Sequence, residues 1–319
     1  MITLQDVKQA QTRIQPIIHE TPLLHSEQLS ALCGNQLFLK AEHLQRTGSF
    51  KIRGAANKVI HAVSQGAKYI TAASSGNHGQ AVAYVTNKYN IPATIVVPEN
   101  ASLCKINAIK GYNGNVETCG TTSSERLPRA KAIAEAENGI YIPPYDDPFI
   151  MAGQGTIGLE ILQQLDDIHA VIVPIGGGGL ISGILTAIKE TNPKIKVIGV
   201  EPSIANDTYL SLQNKKITAI PATNTIADGL RTNQPGDLTF PVVQKFLDDL
   251  VLVSEDEIRY AFSFMLERTK QLIEPSSATT IAAVMFEKLG IRGKKIVSVI
   301  SGGNVDIDQV REFVVDTAR

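Results

Sequence analysis

Eight short runs rich in Val and Ile constrain this chain more than any other feature. They occupy residues 37–41, 69–73, 94–97, 116–119, 171–175, 197–200, 250–253 and 296–300. Most are continuously apolar rather than alternating, the pattern of strands buried on both faces of a parallel sheet. Longer amphipathic stretches lie between them, at 52–63, 79–89, 125–136, 155–164, 181–189, 256–270, 278–289 and 306–314. Ser254 and Glu257 form a capping box ahead of the periodic Ile258, Ala261, Phe262 and Met265. Repeated strand–helix order predicts an α/β fold with helices on both faces of its sheets. The 319 residues suggest about two domains, and an apolar fraction of 43% excludes disorder for the chain as a whole. The Pro-rich segment from Tyr141 to Pro148 is the best interior boundary.

The formal net charge is -1, with no run of like charge, which argues against nucleic acid or a membrane surface as partner. The three cysteines, Cys33, Cys104 and Cys119, form no C-x-x-C pair, so neither a disulfide framework nor a thiolate zinc site is expected. The N-terminus does not read as a signal peptide. Residues 170–188 carry no charge, but Pro174 and four consecutive glycines fit a strand, a tight loop and a helix better than a membrane span. A reduced, cytoplasmic, globular protein is expected.

Ligands in such sheets bind beyond the carboxyl ends of strands. Three loops there look chemically loaded. Ser74-Ser75-Gly76-Asn77-His78-Gly79-Gln80 offers small residues, donors and a following helix N-terminus, which suits either an anion cradle or an ordinary Ser/Asn cap. Gly176, Gly177, Gly178 and Gly179 lie between an apolar strand and an apolar helix. Glycine in an ordered loop has an entropic cost, and the usual return is close backbone approach to a phosphate. Ser301-Gly302-Gly303-Asn304 could set Ser301 under a ligand ring or be a plain turn.

Lys51 sits among uncharged small residues and Phe50, just before a predicted helix. Burial there would disfavour its ammonium form and make it a usable nucleophile. A lysine plus a phosphate cradle suggests pyridoxal phosphate (PLP) held as a Schiff base. Gly177, Gly179 and Glu201 half-mimic a dinucleotide site, but Ser182 replaces the third glycine of that motif. Walker, G-x-S-x-G and H-E-x-x-H motifs are missing from the sequence.

Together these residues resemble the serine/threonine dehydratase and serine racemase family of PLP enzymes. The matching segments are Ser49-Phe50-Lys51-Ile52-Arg53-Gly54, Ser74 to Gln80, Ala152-Gly153-Gln154-Gly155-Thr156, the four glycines, and Ser301 to Asn304. The resemblance implies PLP fold type II (tryptophan synthase β-like), with two open, mostly parallel twisted sheets. It implies a large PLP-binding domain of residues 1–63 and 144–319 and a small mobile domain of 64–143. Lys51 would carry the cofactor, Phe50 would pack on its ring, Asn77 would bond its hydroxyl, and Gly176 to Gly179 would hold its phosphate. Ser301 would face the ring nitrogen, with Leu180, Gly229 and Glu274 also along the cofactor. Ser74, Ser75, Gly76, Asn77, His78 and Arg126 would receive the substrate, and Ser75 would face Lys51 across it, permitting racemisation.

The implied activity is an L-threonine/L-serine ammonia-lyase. A neutral Ser301 would make the ring a weaker electron sink and favour prompt β-elimination to 2-oxobutanoate or pyruvate plus ammonia. Serine racemase and 3-hydroxyaspartate dehydratase are alternatives on the same site. From other classes, an NAD-dependent oxidoreductase and a non-catalytic binding protein remain rivals. The resemblance also implies a divalent cation (Mg, Mn or Ca) held by Glu201, the carbonyl of Ala205 and Asp207, all hard oxygen donors, and a homodimer. The chain departs from the pattern at Ser277, where many relatives have glycine. At Tyr145 it is closer to catabolic threonine dehydratases than to animal racemases, which tend to have asparagine there. At Arg46 nucleotide-activated racemases have lysine, so ATP regulation is not expected. Nor is isoleucine feedback, for want of a C-terminal regulatory domain.

Overall fold

The computed structural model describes residues 1–74, 76–99, 101 and 103–317. Among the described residues ten strands form two sheets. The six-stranded sheet contains β1 (Leu23–His25), β2 (Gln36–Ala41), β7 (Ala170–Pro174), β8 (Lys196–Pro202), β9 (Asp249–Val253) and β10 (Lys295–Ile300), in the order β1-β2-β10-β7-β8-β9. Only β1 runs antiparallel to its neighbour. The four-stranded sheet contains β3 (Ile70–Ala73), β4 (Ala93–Val97), β5 (Asn115–Thr118) and β6 (Ile140–Tyr141), in the order β5-β4-β3-β6, all parallel. The central strands β4 and β7 are buried along their whole length. Their Val and Ile side chains meet helices on both faces, as continuous apolar runs require.

Three helices set the stage for the site. They are α3 (Lys51–Ser64), α7 (Pro148–Gln164) and α8 (Gly179–Thr191), and they pack almost backbone to backbone. A Cβ on Gly153 would meet the Arg53 carbonyl at 2.6 Å, and one on Gly183 would meet the Met151 carbonyl at 2.2 Å. Gln154 on α7 accepts the Gly54 N–H at 3.1 Å. The Ala152 to Thr156 motif is therefore a packing seam that locks the helix carrying Lys51 to the helix behind the glycine loop.

The remaining helices before residue 150 are α1 (Leu4–Ile14), α2 (Glu27–Cys33), α4 (Asn77–Lys88), α5 (Leu103–Gly111) and α6 (Ser123–Ala136). After residue 200 come α9 (Asp207–Asn214), α10 (Thr239–Phe246), α11 (Glu255–Phe264), α12 (Pro275–Met285) and α13 (Ile307–Phe313). The Ser254–Glu257 capping box opens α11, whose predicted extension to 270 becomes a π-helical turn from Met265 to Thr269. Helix α1 was not expected from the sequence; it buries only Val7, Ala10 and Ile14.

A second device fixes α3. Arg53 lies fully buried between Glu42 (2.8 Å) and Glu160 (2.5 Å), and Glu160 also pairs with the buried Lys40 at 2.6 Å. Burial opposes the Arg53 charge, but the two carboxylates hold it above its ordinary pKa. Two cations and two anions thus neutralise one another at a junction of β2, α3 and α7.

Candidate active site

Lys51 is the first residue of α3. The chain reaches it through Ser49, which bridges to Gly302, and Phe50, whose N–H donates to the Ser301 carbonyl at 2.9 Å. Its Nζ lies 5.2 Å from the centre of the Phe50 ring and donates to the Pro144 carbonyl at 2.9 Å. Burial pulls the amine from 10.5 down to about 8, against the opposing pull of the Glu274 carboxylate. An amine of that pKa is about one-tenth neutral at pH 7, against about one part in three thousand for an ordinary lysine. Lys51 is thus half-buried, in surroundings that disfavour its charged form.

The glycine loop joins β7 to α8. Gly178 takes a φ of +90°, and a Cβ there would lie 2.7 Å from Thr239 Oγ1; one on Gly177 would lie 2.5 Å from the Tyr145 ring. Side chains are thus excluded, and Tyr145 and Thr239 pack over the loop. Among the described residues no backbone carbonyl accepts from the N–H of Gly176, Gly177 or Gly178. These donors, with the start of α8 at Gly179 and Leu180, suit an anion. A half-buried amine and a glycine loop whose N–H groups have no described backbone acceptor, on two helices that both pack on α7, fit a ligand that carries both an electrophilic carbon and a phosphate.

Ser301 follows β10 directly and is buried. Its Oγ lies 3.0 Å from Ser277 Oγ, which accepts the Gly302 N–H and donates to the Gly302 carbonyl, both at 2.7 Å. The departure at Ser277 is therefore structural: its hydroxyl ties α12 to the Ser301 loop. Asn77 opens α4 from the other sheet. Its Nδ2 donates to both Glu274 oxygens, at 3.0 and 2.9 Å, while its Oδ1 accepts from Asn304 Nδ2 at 2.8 Å. Burial, then the charge of Asp228, pushes Glu274 up to about 7, and the Asn77 bonds pull the other way. Gly229 donates to Ser276 Oγ at 2.9 Å, which brings its loop beside Glu274. Lys51, the glycine loop, Ser301, Asn77, Glu274 and Gly229 thus converge from separate stretches of chain.

Ser74 Oγ accepts the Gly76 N–H at 3.2 Å. His78 Nε2 lies 3.0 Å from the Ile142 carbonyl and so carries its hydrogen; burial, then the Lys51 charge, holds the ring neutral, with its pKa lowered to about 3. Ser75, expected opposite Lys51, lies outside the described residues. Arg126 stands on α6, near Cys119 and Glu125, with its pKa lowered by burial. It belongs to the four-stranded half, where α6 packs on β3, β4 and β6.

Glu201 and Asp207 meet where β8 turns into α9. Glu201 accepts the Thr208 and Tyr209 N–H groups at 3.0 and 2.9 Å. Burial first, then the neighbouring Asp207, raises Glu201 to about 8, and burial raises Asp207 to about 7. Ala205 is buried in the same turn, its N–H on the Pro202 carbonyl at 2.9 Å. Among the described residues no group of three His, Cys, Asp or Glu side chains is arranged around a common metal position.

Sequence reasoning missed a strap at residues 142–147. The carbonyl of Ile142 holds His78, and that of Pro144 holds Lys51. Tyr145 covers Gly177 and Gly179, and Asp146 accepts the N–H groups of Asp237, Leu238 and Thr239. Asp147 caps α7 and pairs with Lys58 at 2.6 Å. The Pro-Pro pair was visible in the sequence as a boundary, but its acceptors are backbone carbonyls, which residue identity does not announce.

The family model described as pyridoxal-phosphate dependent enzyme matches residues 14–302. An L-threonine ammonia-lyase of Thermotoga maritima is 44% identical over 315 residues, covering 98% of this chain and 78% of that protein. A serine racemase of Dictyostelium discoideum is 43% identical over 318 residues, covering 98% of each. The solved structure of maize serine racemase superposes with a TM-score of 0.94 at 38% identity, covering 98% of this chain and 96% of that one. These likenesses, the half-buried Lys51 amine and the glycine loop agree: the chain belongs to the pyridoxal-phosphate dependent enzyme family, with its type II fold.

Proposed function

We propose that this chain is an L-threonine/L-serine ammonia-lyase that releases 2-oxobutanoate or pyruvate and ammonia. The observation that carries the reading is the half-buried Lys51 amine, lowered to about 8, together with a glycine loop whose N–H groups have no described backbone acceptor. When bound, pyridoxal phosphate supplies an aldehyde for the amines of Lys51 and substrate and a ring that draws electrons from the substrate α-carbon. Lys51 attaches it, Gly176, Gly177, Gly178, Gly179 and Leu180 hold its phosphate, and Phe50, Asn77, Gly229, Glu274 and Ser301 surround its ring. The Ser74 to His78 loop and Arg126 take the substrate carboxylate.

Lys51 Nζ, neutral in a useful fraction near pH 7, removes the substrate α-proton. The Pro144 carbonyl orients that amine when it is free. Ser301, tied to Ser277, is a hydroxyl and would offer a bound ring nitrogen no carboxylate partner. With the cofactor bound, that would favour prompt loss of the β-hydroxyl. His78 is neutral and offers no second positive charge beside Lys51.

The remaining features belong to the same reading. Residues 64–143 form a small domain that moves against the rest, and the strap is its return hinge. Glu201, the Ala205 carbonyl and Asp207 bind Mg, Mn or Ca, which relieves two buried carboxylates of raised pKa. The enzyme is a cytoplasmic homodimer. No described helix is long and apolar enough to cross a membrane.

A second reading, serine racemisation, is favoured by the 43% identity to a named serine racemase, with Ser75 returning the proton opposite Lys51. Incubating the holoenzyme with L-threonine, L-serine and 3-hydroxyaspartate in turn separates these readings. Ammonia-lyase chemistry gives 2-oxo acid in step with ammonia. D-Serine without 2-oxo acid supports racemisation instead, and unchanged amino acids in every case refute both.

A further inference from the structure

Away from Lys51, a cavity of about 340 Å³ opens between α1, α3, α7 and the start of α10. This is within the range of about 300–1,000 Å³ usual for small-molecule sites. Ile2, Phe149, Met151, Leu238 and Pro241 give it apolar walls. Arg13 supplies a cation there, and it is held in place. Its guanidinium donates to Asn57 Oδ1 and lies 5.8 Å from the centre of the Phe149 ring. Asn57 is itself buried and anchored, donating to the Phe149 carbonyl at 2.7 Å. Among the described residues no carboxylate lies within ion-pair distance of Arg13.

The two acids on the cavity wall are differently placed. Asp6 is spent in the α1 capping box, its Oδ2 accepting the N–H and hydroxyl of Thr3 at 2.8 Å each. Asp237 stands just ahead of α10, where the helix dipole favours a negative charge. A pre-oriented guanidinium with most of its donors in hand, facing an apolar chamber, calls for one carboxylate on an apolar body. Dianions and phosphates suit it poorly, because Asp6 and Asp237 add negative charge.

The place of the cavity gives it a consequence. Pro148 and Phe149 continue directly from the strap, and Asp237 and Leu238 donate their N–H groups to Asp146 of the strap at 3.1 and 2.8 Å. The strap holds Lys51 through Pro144 and covers the glycine loop through Tyr145. An occupant therefore touches chain on both sides of the Asp146 clamp. We propose that this cavity is an effector site for small apolar monocarboxylates, anchored by Arg13 and coupled through the strap to the Lys51 pocket.

Isothermal titration of the holoenzyme with 4-methylpentanoate tests it, with 4-methylpentanamide and 4-methylpentylamine as the neutral and cationic counterparts. Saturable binding of the carboxylate is expected. Arg13→Gln weakens it at least about tenfold, as loss of a charge-assisted bond requires, and Leu238→Trp, which fills the chamber, abolishes it. In a separate titration of the cofactor-free protein, saturating 4-methylpentanoate changes the affinity for pyridoxal phosphate by about fivefold or more. Equal binding of acid and amide, tighter binding of the amine, or carboxylate binding that survives both substitutions overturns the site. Dissociation of a dimer by Leu238→Trp assigns the chamber to a second copy of the chain and also overturns it. Unchanged affinity for pyridoxal phosphate overturns the coupling.

Discussion

Replacing Lys51 by Met in the cofactor-free protein should make the fold more stable, although it destroys the candidate site. Burial lowers the amine from 10.5 to about 8, which corresponds to about 3 kcal/mol against its charged form. The substitution also removes the 2.9 Å bond to the Pro144 carbonyl, worth about 1 kcal/mol. A net gain of about 2 kcal/mol is expected where lysine is charged. Below pH 8 the amine is protonated in both folded and unfolded chains, and the whole cost is felt. Between pH 8 and 10.5 only the unfolded chain keeps the proton, so wild-type stability rises with pH relative to the variant. Near pH 10.5 and above, the advantage of Met is gone. Urea unfolding of the two proteins at a series of pH values measures this directly. A variant less stable than wild type at pH 7, or a difference that does not change between pH 7 and 10.5, refutes an amine of depressed pKa at Lys51.

Other perturbations reach different parts of the account. Arg53→Met strands the buried Glu42 and Glu160, and should cost about 3–5 kcal/mol in urea unfolding; a loss under 1 kcal/mol contradicts the role given to that charge cluster. Gly178→Ala puts a Cβ 2.7 Å from Thr239 Oγ1 at a φ of +90°, and should lower affinity for pyridoxal phosphate at least tenfold in a fluorescence titration, with undiminished binding as the contrary result. Stripping metal with a chelator should lower the melting temperature, and magnesium should restore it. Asp207→Asn should abolish that response, whereas a melting temperature indifferent to both treatments removes the cation from the Glu201–Asp207 turn.

The parallel strands were legible because double-sided burial writes itself as unbroken Val and Ile. All eight expected strands exist, each within about a residue or two of its predicted ends. The two that escaped notice, β1 and β6, have three and two residues, too short to leave a pattern. Helix α10, with Pro241 inside its first turn, and α9, bounded by Asp207, also went unread. At the site, the lysine and the glycine loop were readable because each is costly without a ligand. The roles expected of Glu274, Gly229 and Arg126 came only through family resemblance, since single residues far apart in sequence show no spacing. The strap and the Arg53 cluster were hidden for a plainer reason. They depend on which carbonyl or carboxylate ends up beside which cation, and only the folded chain decides that.

The central claim is that Lys51 makes this chain a PLP-dependent ammonia-lyase. The most direct measurement follows 2-oxobutanoate release from L-threonine by wild type and by Lys51→Ala, both supplied with pyridoxal phosphate, with folding of each checked by circular dichroism. The account predicts sustained release by wild type and none by the folded variant. Sustained release by Lys51→Ala, or none by a wild type shown to hold pyridoxal phosphate, contradicts it.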